Sequence, residues 1–573
     1  MVEHTQDYRS DVLVIGSGAA EMMAARTAAD QGAQVILADK SLIGRGGATI
    51  LAQMTVAVAL GDAEEDDTDI HFHDTMEGGR GLSDPEIVRA IVEKGPEVIL
   101  EVEKFGVRWA KTEDGKHSQV VSPGHSRKRC VYVDILNTGG ATSNGLRKAI
   151  WREDKITRLR NVMITRLVKK GERVIGAVGF SMETMEPVSF SASQVILATG
   201  GLTEVYERNS ASVNMTGDGF LLAAQAGSEL RDMEMVQFFP IAHLFPPLVG
   251  IDPIMWDPFR YKLGGRLLNG NYEEFMDRYA NEKAGKYTAT RDMTSLAIFK
   301  EVEAGRGTPH GGAYLDFRMV PEDELRKGFG PVIDILLNQG VDLTKDLVEV
   351  APMAHFMLGG IRVNKDMETT VPGLLACGEL IYGMHGANRL SGNAITEALV
   401  TGKIAGETAS RERNEPEDDK ILKQEKEKEW SRLQAFWHHE TSKGKSETPL
   451  ELRRSIQKVM WQGAGPLRSE ETLKEALEAI LQLRQTCLQI DLEEQSHFGL
   501  PFVEKLEAYH MTFIGEAIIR GALERKESRG AHVRLDYSET LKQGFSSIFT
   551  FEGGQWQFKK EISPDHTVNK GVQ

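Results

Sequence analysis

Hydrophobic and polar positions at the start of the chain switch from a buried-strand pattern to a helical pattern and back. Residues 11–15 (DVLVI) form a β-branched apolar run, residues 16–32 are rich in Ala, Met and Arg, and residues 34–39 (QVILAD) are strand-like again. β-Branched runs favour strands, whereas Ala and Met favour helices. The pattern therefore predicts a β-α-β unit, the building block of a doubly wound α/β domain.

Two later apolar runs continue this domain. Residues 194–201 (QVILATGG) end a region of mixed strands, and residues 373–379 (GLLACGE) precede a stretch with helical spacing and small residues. The part between them is rich in proline loops and amphipathic stretches such as 291–303. We therefore predict a Rossmann-like domain interrupted by an α+β capping domain. The predicted parts are 1–236 and 354–410 for the first domain and 237–353 for the cap.

The remainder of the chain has helical patterns. Residues 411–446 are dense in charge, and residues 452–526 show three successive stretches with apolar side chains at i, i+3 and i+4. The alternating segment 549–560 (FTFEGGQWQFKK) predicts a short hairpin. We assign residues 411–530 to a C-terminal helical domain and residues 531–573 to a tail.

Charge and composition exclude several classes of function. With 68 Lys and Arg against 84 Asp and Glu, the formal charge is −16, so no nucleic-acid partner is expected. The N-terminus has no secretory signal, and prolines interrupt the apolar stretch 238–255. We expect a cytoplasmic protein without a membrane span, associated with a membrane only peripherally through partner subunits. Three scattered cysteines are too few for a disulfide framework or a four-thiolate cluster.

The clearest chemical motif lies at the first strand-to-helix turn. Gly16 and Gly18 stand between the predicted strand and helix, and Asp39 ends the next strand about 20 residues later. Gly16 permits a tight turn, Gly18 lets a pyrophosphate approach the backbone, and Asp39 can accept hydrogen bonds from a ribose. The motif predicts an adenine dinucleotide site, although Glu21 stands where the fingerprint has its third glycine.

Further motifs extend this turn into a family resemblance from about Asp11 to Tyr537. The matching segments are GSGAA at 16–20, HFHDT at 71–75, ATGG at 198–201, TGDG at 216–219, HFMLGGI at 355–361, PGLLACGE at 372–379, HGANRLSGNA at 385–394 and RKESRGAH at 525–532. In this order they resemble the flavoprotein subunits of succinate dehydrogenase and fumarate reductase. L-Aspartate oxidase and the flavin subunit of adenylylsulfate reductase are related to that family.

The resemblance implies FAD as the cofactor and hydride transfer at a C–C bond beside a carboxylate or thioester. A helix beginning within 391–395 would place its N-terminus where it stabilises negative charge on the reduced flavin. The positions assigned to the cofactor are Gly16, Gly18, Ala19, Ala20, Asp39, Lys40, Gly46, Gly47, Thr49, Thr199, Gly200, Asp218, Glu379, Asn388, Asn393, Ala394 and Ile395.

The same resemblance predicts noncovalent FAD. Relatives with covalently bound flavin carry Ser-His-Thr ahead of Ala-Gln-Gly-Gly, whereas Ala48 stands here at the position of the linking histidine. In this family a missing covalent bond implies a lower flavin potential. That favours reduction of a substrate over oxidation of succinate.

Substrate positions are in part retained. His355 and Arg389 match family residues that bind a substrate carboxylate, and Arg389 can do so bidentately. His385 is assigned either to this site or to a structural role. Phe239 stands in place of a dicarboxylate-binding histidine, so fumarate itself is not the expected substrate.

The position of the proton donor is ambiguous. The family has Arg-Gly-Glu-Gly-Gly before Leu-Leu-Asn, where this chain has FRYKLGGRLLN at 259–269. Alignment without a gap puts Tyr261 at the catalytic arginine, whereas a one-residue insertion puts Arg260 there, with Asp257 as a relay acid. Both alignments are kept.

The sequence also bears on metal binding, on a partner subunit and on alternative functions. The acidic run from Glu64 to Asp74 is interpreted as a solvated face, and no metal site is predicted. Because the chain has no cluster ligands of its own, the resemblance implies that its partner is an iron–sulfur electron-transfer subunit. The alternatives are a standalone L-aspartate oxidase-like enzyme, an adenylylsulfate reductase-like enzyme, and an FAD-carrying electron-transfer or scaffold subunit without substrate chemistry.

Overall fold

The computed structural model describes residues 6–133, 137–250, 253–279, 291–412, 419–437, 447–490, 492 and 499–562, without the side chains of 257, 258, 261 and 262. The strands are β1 (Gln6–Ile15), β2 (Val35–Ala38), β3 (Val56–Ala57), β4 (Gln119–Val120), β5 (Cys130–Val131), β6 (Ile156–Leu159), β7 (Val162–Lys170), β8 (Arg173–Ser181), β9 (Pro187–Leu197), β10 (Leu230–Arg231), β11 (Val236–Phe245), β12 (Arg266–Leu268), β13 (Ala313–Asp316), β14 (Val348–Met357), β15 (Gly360–Ile361), β16 (Leu374–Ala376), β17 (Phe545–Glu552) and β18 (Gln555–Ile562). The α-helices are α1 (Ala19–Asp30), α2 (Thr68–Gly78), α3 (Pro85–Lys104), α4 (Thr138–Trp151), α5 (Asp218–Ala226), α6 (Trp256–Leu263), α7 (Arg291–Glu301), α8 (Glu322–Phe329), α9 (Val332–Asn338), α10 (Asn393–Ala409), α11 (Asp419–Trp437), α12 (Pro449–Ala464), α13 (Glu470–Gln489) and α14 (Leu500–Glu524).

A seven-stranded sheet forms the centre of the first domain. Its strand order is β6-β2-β1-β9-β8-β7, and β16 pairs with the end of β9. β6, β2, β1, β9 and β16 run parallel, while β7 and β8 extend the sheet as antiparallel strands. Helices α1 and α10 pack on each other and on this sheet. The predicted Rossmann-like class is confirmed, and the carboxyl ends of its parallel strands share one edge.

The cap is built on a separate antiparallel sheet of order β11-β14-β13-β12. It has its own apolar core, which includes the buried side chains of Trp256, Phe275 and Leu315. Strands β11 and β14 pair from one end to the other and connect the cap to the first domain. The predicted boundaries at 236/237 and 353/354 therefore lie within these two connecting strands.

Helix α11 contacts both the first domain and the helical part. Helices α12, α13 and α14 pack on one another, as the three apolar patterns predict. Helix α11, from the charge-rich segment, packs on β7, β8 and β9, where Leu422 joins a cluster with Val168. At its end, Phe436 and Trp437 contact the ring of Phe502 in α14. No helix in the described ranges is long and apolar enough to cross a bilayer.

The C-terminal tail forms the predicted hairpin of β17 and β18, with Gly553 and Gly554 at the turn. Both glycines have positive φ angles, as a two-residue hairpin turn requires. β17 also pairs with β10 of the first domain, in a sheet of order β15-β10-β17-β18. The tail therefore completes a sheet that the first domain begins.

Candidate active site

A large cleft opens at the carboxyl ends of the parallel strands. Its walls include the residues at or just after the ends of β1, β2, β9 and β16, together with residues of the cap, and it encloses about 1770 Å³ of empty space. In open α/β sheets this edge is where ligands bind, because loops and helix N-termini converge there. The topology thus brings the dinucleotide motif and most of the later family motifs to one place, whereas residues 71–75 and 525–532 do not line the cleft.

The glycine turn after β1 forms one wall of the cleft. Gly16 has a φ angle of +113°, a conformation that favours glycine. A Cβ atom at Gly16 would lie 2.7 Å from the carbonyl oxygen of Ala198. The backbone N–H of Ala19, at the start of α1, donates to Oγ1 of Thr49 over 3.0 Å. Together these contacts form a tight backbone cradle at a helix N-terminus, a geometry suited to a pyrophosphate.

Charged side chains around Asp39 and Lys40 are more heavily paired than the sequence suggests. Asp39 accepts from the hydroxyl of Ser41 over 2.7 Å. The ammonium group of Lys40 lies 2.6 Å from Asp218 and 2.6 Å from Glu507, and Asp218 also contacts His510 over 2.8 Å. Lys40 and Asp218 line the cleft as predicted, but their charges also connect α14 to the first domain.

Most of the predicted cofactor positions lie on the cleft wall. Those that line it are Gly16, Gly18, Ala19, Ala20, Asp39, Lys40, Gly46, Gly47, Thr49, Thr199, Gly200, Asp218, Glu379, Ala394 and Ile395. Asn388 and Asn393 do not. The Asn388 side chain donates to the carbonyl of Gly78 over 3.5 Å, and the buried Asn393 side chain bonds to His71 over 2.9 Å and Thr75 over 3.1 Å. These hydrogen bonds hold the two amides at the start of α10, away from the cleft.

Glu379 lies on the cleft wall just after β16. Its carboxylate accepts the backbone N–H of Met357 over 3.0 Å, and burial raises its pKa to about 8. A neutral carboxyl group can both donate to and accept from hydroxyl groups. This position therefore fits a contact to the ribityl chain of a flavin.

The other end of the cleft contains a cluster of cationic and aromatic side chains. Arg389 and His355 lie there together, as predicted, and Arg291 joins them from the first residue of α7. The Arg291 guanidinium is 4.7 Å from the ring centre of Phe239, and the rings of Phe239 and His355 are 5.2 Å apart. Arg291 also contacts the hydroxyl of Ser391 over 3.5 Å. We call Arg291, His355 and Arg389 the substrate cluster.

Hydrogen bonds orient two members of the substrate cluster. Nε of Arg389 donates to Gln237 over 3.0 Å, and its guanidinium lies 4.5 Å from the ring centre of Phe356. Its buried Nη2 has no hydrogen-bond partner among the described residues. Nδ1 of His355 lies 2.8 Å from the hydroxyl of Ser210, which leaves the other ring nitrogen for a ligand. A buried donor without a partner is costly, so the cluster is arranged for an acceptor that enters from outside.

The charges of the substrate cluster indicate that its ligand is an anion. Burial and the neighbouring Arg291 cation lower the pKa of Arg389 to about 9, against an opposing effect of Glu379 and Glu397. Burial and both arginines also hold the pKa of His355 well below its ordinary value, so its imidazole is neutral at pH 7. Two crowded cations beside a neutral imidazole are stabilised by an anion, and a carboxylate has the matching geometry.

Arg291 was missed in the sequence because it begins a stretch that reads only as an amphipathic cap helix. Arg260, one predicted proton donor, is completely buried and does not line the cleft. The side chains of Asp257 and Tyr261 lie outside the described part of the structure. His385 does not line the cleft: it pairs with Glu397 over 2.9 Å, and its ring lies edge-to-face against Phe356 at 5.2 Å.

The acidic run is only partly a solvated face. Glu65 and Asp69 are exposed, but Asp66 and Asp74 both lie 3.0 Å from the guanidinium of Arg129, which is completely buried. Burying an arginine requires carboxylate partners, and these two side chains supply them. Within the described ranges, no group of three or more His, Cys, Asp or Glu is arranged to hold a metal ion.

Comparison with known proteins assigns the chain to a class. Residues 11–395 match the family model described as "FAD binding domain", and residues 453–562 match the one described as "Fumarate reductase flavoprotein C-term". The chain belongs to the fumarate reductase and succinate dehydrogenase flavoprotein family and is an FAD-dependent oxidoreductase. The cleft agrees with this cofactor in its glycine cradle, its acidic residue after β2 and its helix N-terminus.

Individual relatives resemble the chain over nearly its whole length. It is 35% identical to one of the subunits of the CoM/CoB fumarate reductase of Methanothermobacter marburgensis, over 94% of this chain and 97% of the relative. It is 31% identical to L-aspartate oxidase of Streptomyces coelicolor, over 92% of this chain and 89% of the relative. The solved Sdh1 structure of Mycobacterium smegmatis superposes with a TM-score of 0.85 at 30% identity, covering 98% of this chain and 95% of that chain.

We expect the flavin to leave the protein on denaturation. Ala48 lines the cleft, and it has no nucleophilic side chain to form a bond to the isoalloxazine ring. Acid precipitation of the purified yellow protein should release all FAD into the supernatant, as absorbance at the flavin bands would measure. A yellow pellet after washing would contradict the noncovalent assignment.

Proposed function

We propose that this chain is the catalytic subunit of an oxidoreductase that transfers a hydride at a C–C bond beside a carboxylate. The observation that carries the proposal is the substrate cluster, which gathers two buried arginines and a neutral histidine at one end of the FAD cleft. A subunit that only carried electrons would have no need to bury these cations beside its cofactor.

The residues of the cluster divide the work. Arg389, with one guanidinium nitrogen lacking a partner among the described residues, holds the substrate carboxylate, and the neutral His355 donates a second hydrogen bond to it. FAD supplies the two-electron hydride chemistry when it is bound. In the reducing direction, one carbon of the C=C bond receives the hydride and its neighbour receives a proton. Arg291, beside Phe239 and Ser391, is the side chain of the cluster that we assign as proton donor.

The apolar wall supports a substrate with one carboxylate. Phe239 is 2% exposed and lies between Arg291 and His355, and Ile254 lines the same end of the cleft. Neither Phe239 nor Ile254 can donate a hydrogen bond, so a second carboxylate on this wall would have to use Arg291, the residue assigned to proton transfer. We therefore propose an unsaturated monocarboxylate with an apolar substituent. A free acid is favoured over a thioester because the cluster carries two full cations.

Electrons are proposed to come from an iron–sulfur subunit. The three cysteines, Cys130, Cys377 and Cys487, are buried in separate elements of the fold, so this chain cannot assemble a cluster from them. The methanogen relative is named as one subunit of its enzyme. A docked partner with its own clusters would complete the electron path.

Reoxidation of the reduced flavin tests the function and the substrate class together. The dithionite-reduced chain is mixed anaerobically with short and substituted enoates, their thioesters, fumarate and adenylylsulfate, and flavin absorbance is followed. L-Aspartate, an electron donor, is instead mixed with the oxidised holoprotein, and reduction of the flavin is followed. Rapid reoxidation by a monocarboxylate alone is the expected result. A thioester or fumarate as the preferred oxidant would overturn the monocarboxylate assignment. No reoxidation by any enoate or thioester would contradict the proposed activity.

Replacing Phe239 with histidine should shift preference towards dicarboxylates. A new hydrogen bond to a charged group contributes about 1.5–3 kcal/mol, so kcat/KM for fumarate relative to the monocarboxylate should rise roughly 10–150-fold. Phe239→Leu is the matched control, because it keeps an apolar wall and adds no donor. Equal ratios in the histidine and leucine variants would show that position 239 does not face the second carboxylate.

A further inference from the structure

Glu21 is the one side chain of the dinucleotide turn that does not suit a pyrophosphate. It is the third residue of α1, and its side chain is 5% exposed. Cβ atoms built at Gly16 and Gly18 would lie 2.6 Å and 3.0 Å from its carboxyl oxygens. The carboxyl group therefore lies inside the glycine cradle, on the wall of the FAD cleft.

This carboxyl group uses the donors of the cradle. The backbone N–H groups of Gly18 and of Glu21 itself lower the pKa of this carboxyl group, against the larger effect of burial. Such N–H groups at the start of a helix are the ones that bind a phosphate in dinucleotide folds. The Glu21 carboxyl group therefore lies where this fold normally binds a phosphate.

Among the described residues, Glu21 forms no ion pair with a cationic side chain. Its charged neighbour is Asp39, a second carboxylate, and the loop after β16 contributes the buried thiol of Cys377. Helix α10 approaches through Gly402, where a Cβ atom would lie 2.3 Å from the carbonyl oxygen of Ala20. Helix α4 contributes Arg147, which packs on Gly44 and forms no ion pair with Glu21 in the described part of the chain.

We propose that Glu21 makes FAD binding by this chain depend on a proton: the pyrophosphate is accommodated only while the Glu21 carboxyl group is neutral. A pyrophosphate carries two negative charges, and an ionised carboxylate in the same enclosed turn would repel them strongly. In its neutral form the group can instead donate its O–H to a phosphate oxygen. This inference rests on the FAD site and not on the proposed substrate chemistry, so either can fail alone.

The expected pH dependence follows from the direction of linkage. Burial, the largest effect, and Asp39 raise the pKa of Glu21 to about 8, and bound pyrophosphate raises it further. FAD then binds with constant affinity below that pH and more weakly above it. Between pH 7 and pH 9 the dissociation constant should rise about tenfold, since one proton must be taken up for each FAD bound.

The test uses FAD binding and not turnover. Apoprotein is titrated with FAD at pH 6.0 to 9.5, following quenching of flavin fluorescence, for wild type, Glu21→Gln and Glu21→Gly. In both variants the affinity should fall much less between pH 7 and pH 9 than in the wild type, and the remaining pH dependence is that of Glu379, whose pKa burial also raises to about 8. Asp30→Asn removes an exposed carboxylate at the other end of α1 and should keep the wild-type profile.

Calorimetry gives a second readout. At pH 8.5, titrations in two buffers with different ionisation enthalpies should detect greater proton uptake by the wild type than by Glu21→Gln, with a difference of about 0.8 proton for each FAD bound. Where apoprotein cannot be prepared, the rate of FAD loss from diluted holoenzyme replaces the titration. A wild type without proton uptake, or a Glu21→Gln profile with the same slope as wild type, would overturn the proposal.

Discussion

Replacing Arg291 with glutamine is expected to reduce kcat by about 10²–10⁴-fold, the usual contribution of a positioned proton donor. The FAD content should stay the same, because Arg291 lies at the substrate end of the cleft, beside Phe239. KM should change less than kcat, since Arg389 still binds the carboxylate. Stopped-flow reoxidation of the reduced flavin by the best enoate measures both quantities.

Three comparisons make this prediction specific. Arg389→Gln should raise KM more than Arg291→Gln does, because it removes the carboxylate ligand. Arg260→Gln and Tyr261→Phe test the two positions that the sequence alignment favours. Added guanidinium ion should restore part of the rate of Arg291→Gln alone. If Arg260→Gln loses the rate and Arg291→Gln keeps it, then Arg260 is the proton donor and Arg291 only binds.

Replacing Arg525 with methionine should destabilise the protein by about 3–5 kcal/mol, the cost of breaking a buried ion pair by removing one partner. Arg525 is completely buried and lies 2.9 Å from Asp232, 2.7 Å from Glu234 and 3.0 Å from Glu527. It also donates to the carbonyl of Phe545 in β17 over 2.8 Å. Without this guanidinium, three buried carboxylates lose a common cationic partner and repel one another. Urea unfolding followed by circular dichroism measures the loss.

Arg520→Met, in α14 five residues before Arg525, is the matched control. The Arg520 side chain is 40% exposed and pairs with Glu516, which keeps a second partner in Arg484 at 2.7 Å. An exposed pair of this kind contributes about 0–1 kcal/mol. Equal losses for the two variants would mean that the buried network around Arg525 contributes no more than a surface ion pair.

Local sequence patterns were sufficient for the first domain. The run before Gly16, the helix-favouring stretch after it and Asp39 lie within one β-α-β unit, so neighbouring residues determine their geometry. The hairpin turn at Gly553 and Gly554 is equally local. Such elements depend on backbone propensity and short-range hydrogen bonds, which a sequence displays directly.

Long-range pairing limits what the sequence can predict. Arg291 reaches the cleft because the cap brings it to Ser391, 100 residues later in the chain. In the sequence Lys40 is interpreted only as a cofactor ligand, because its partner Glu507 lies in the distant helix α14. The charge-rich sequence of α11 likewise does not show that Leu422 packs on the sheet. These partners are chosen by tertiary packing, which overrides local preference.

Because β10 pairs with β17, this sheet can complete its folding only late in translation. Leu230 can pair with Phe549 only after residue 549 has left the ribosome. The carboxylates of Asp232 and Glu234 likewise lack this cationic partner until Arg525 has emerged. During translation the nascent chain therefore carries an open strand edge, of the kind that invites misassembly. A premature stop codon between residues 399 and 545 would remove the strand that covers this edge, although every residue that lines the cleft would already have been made.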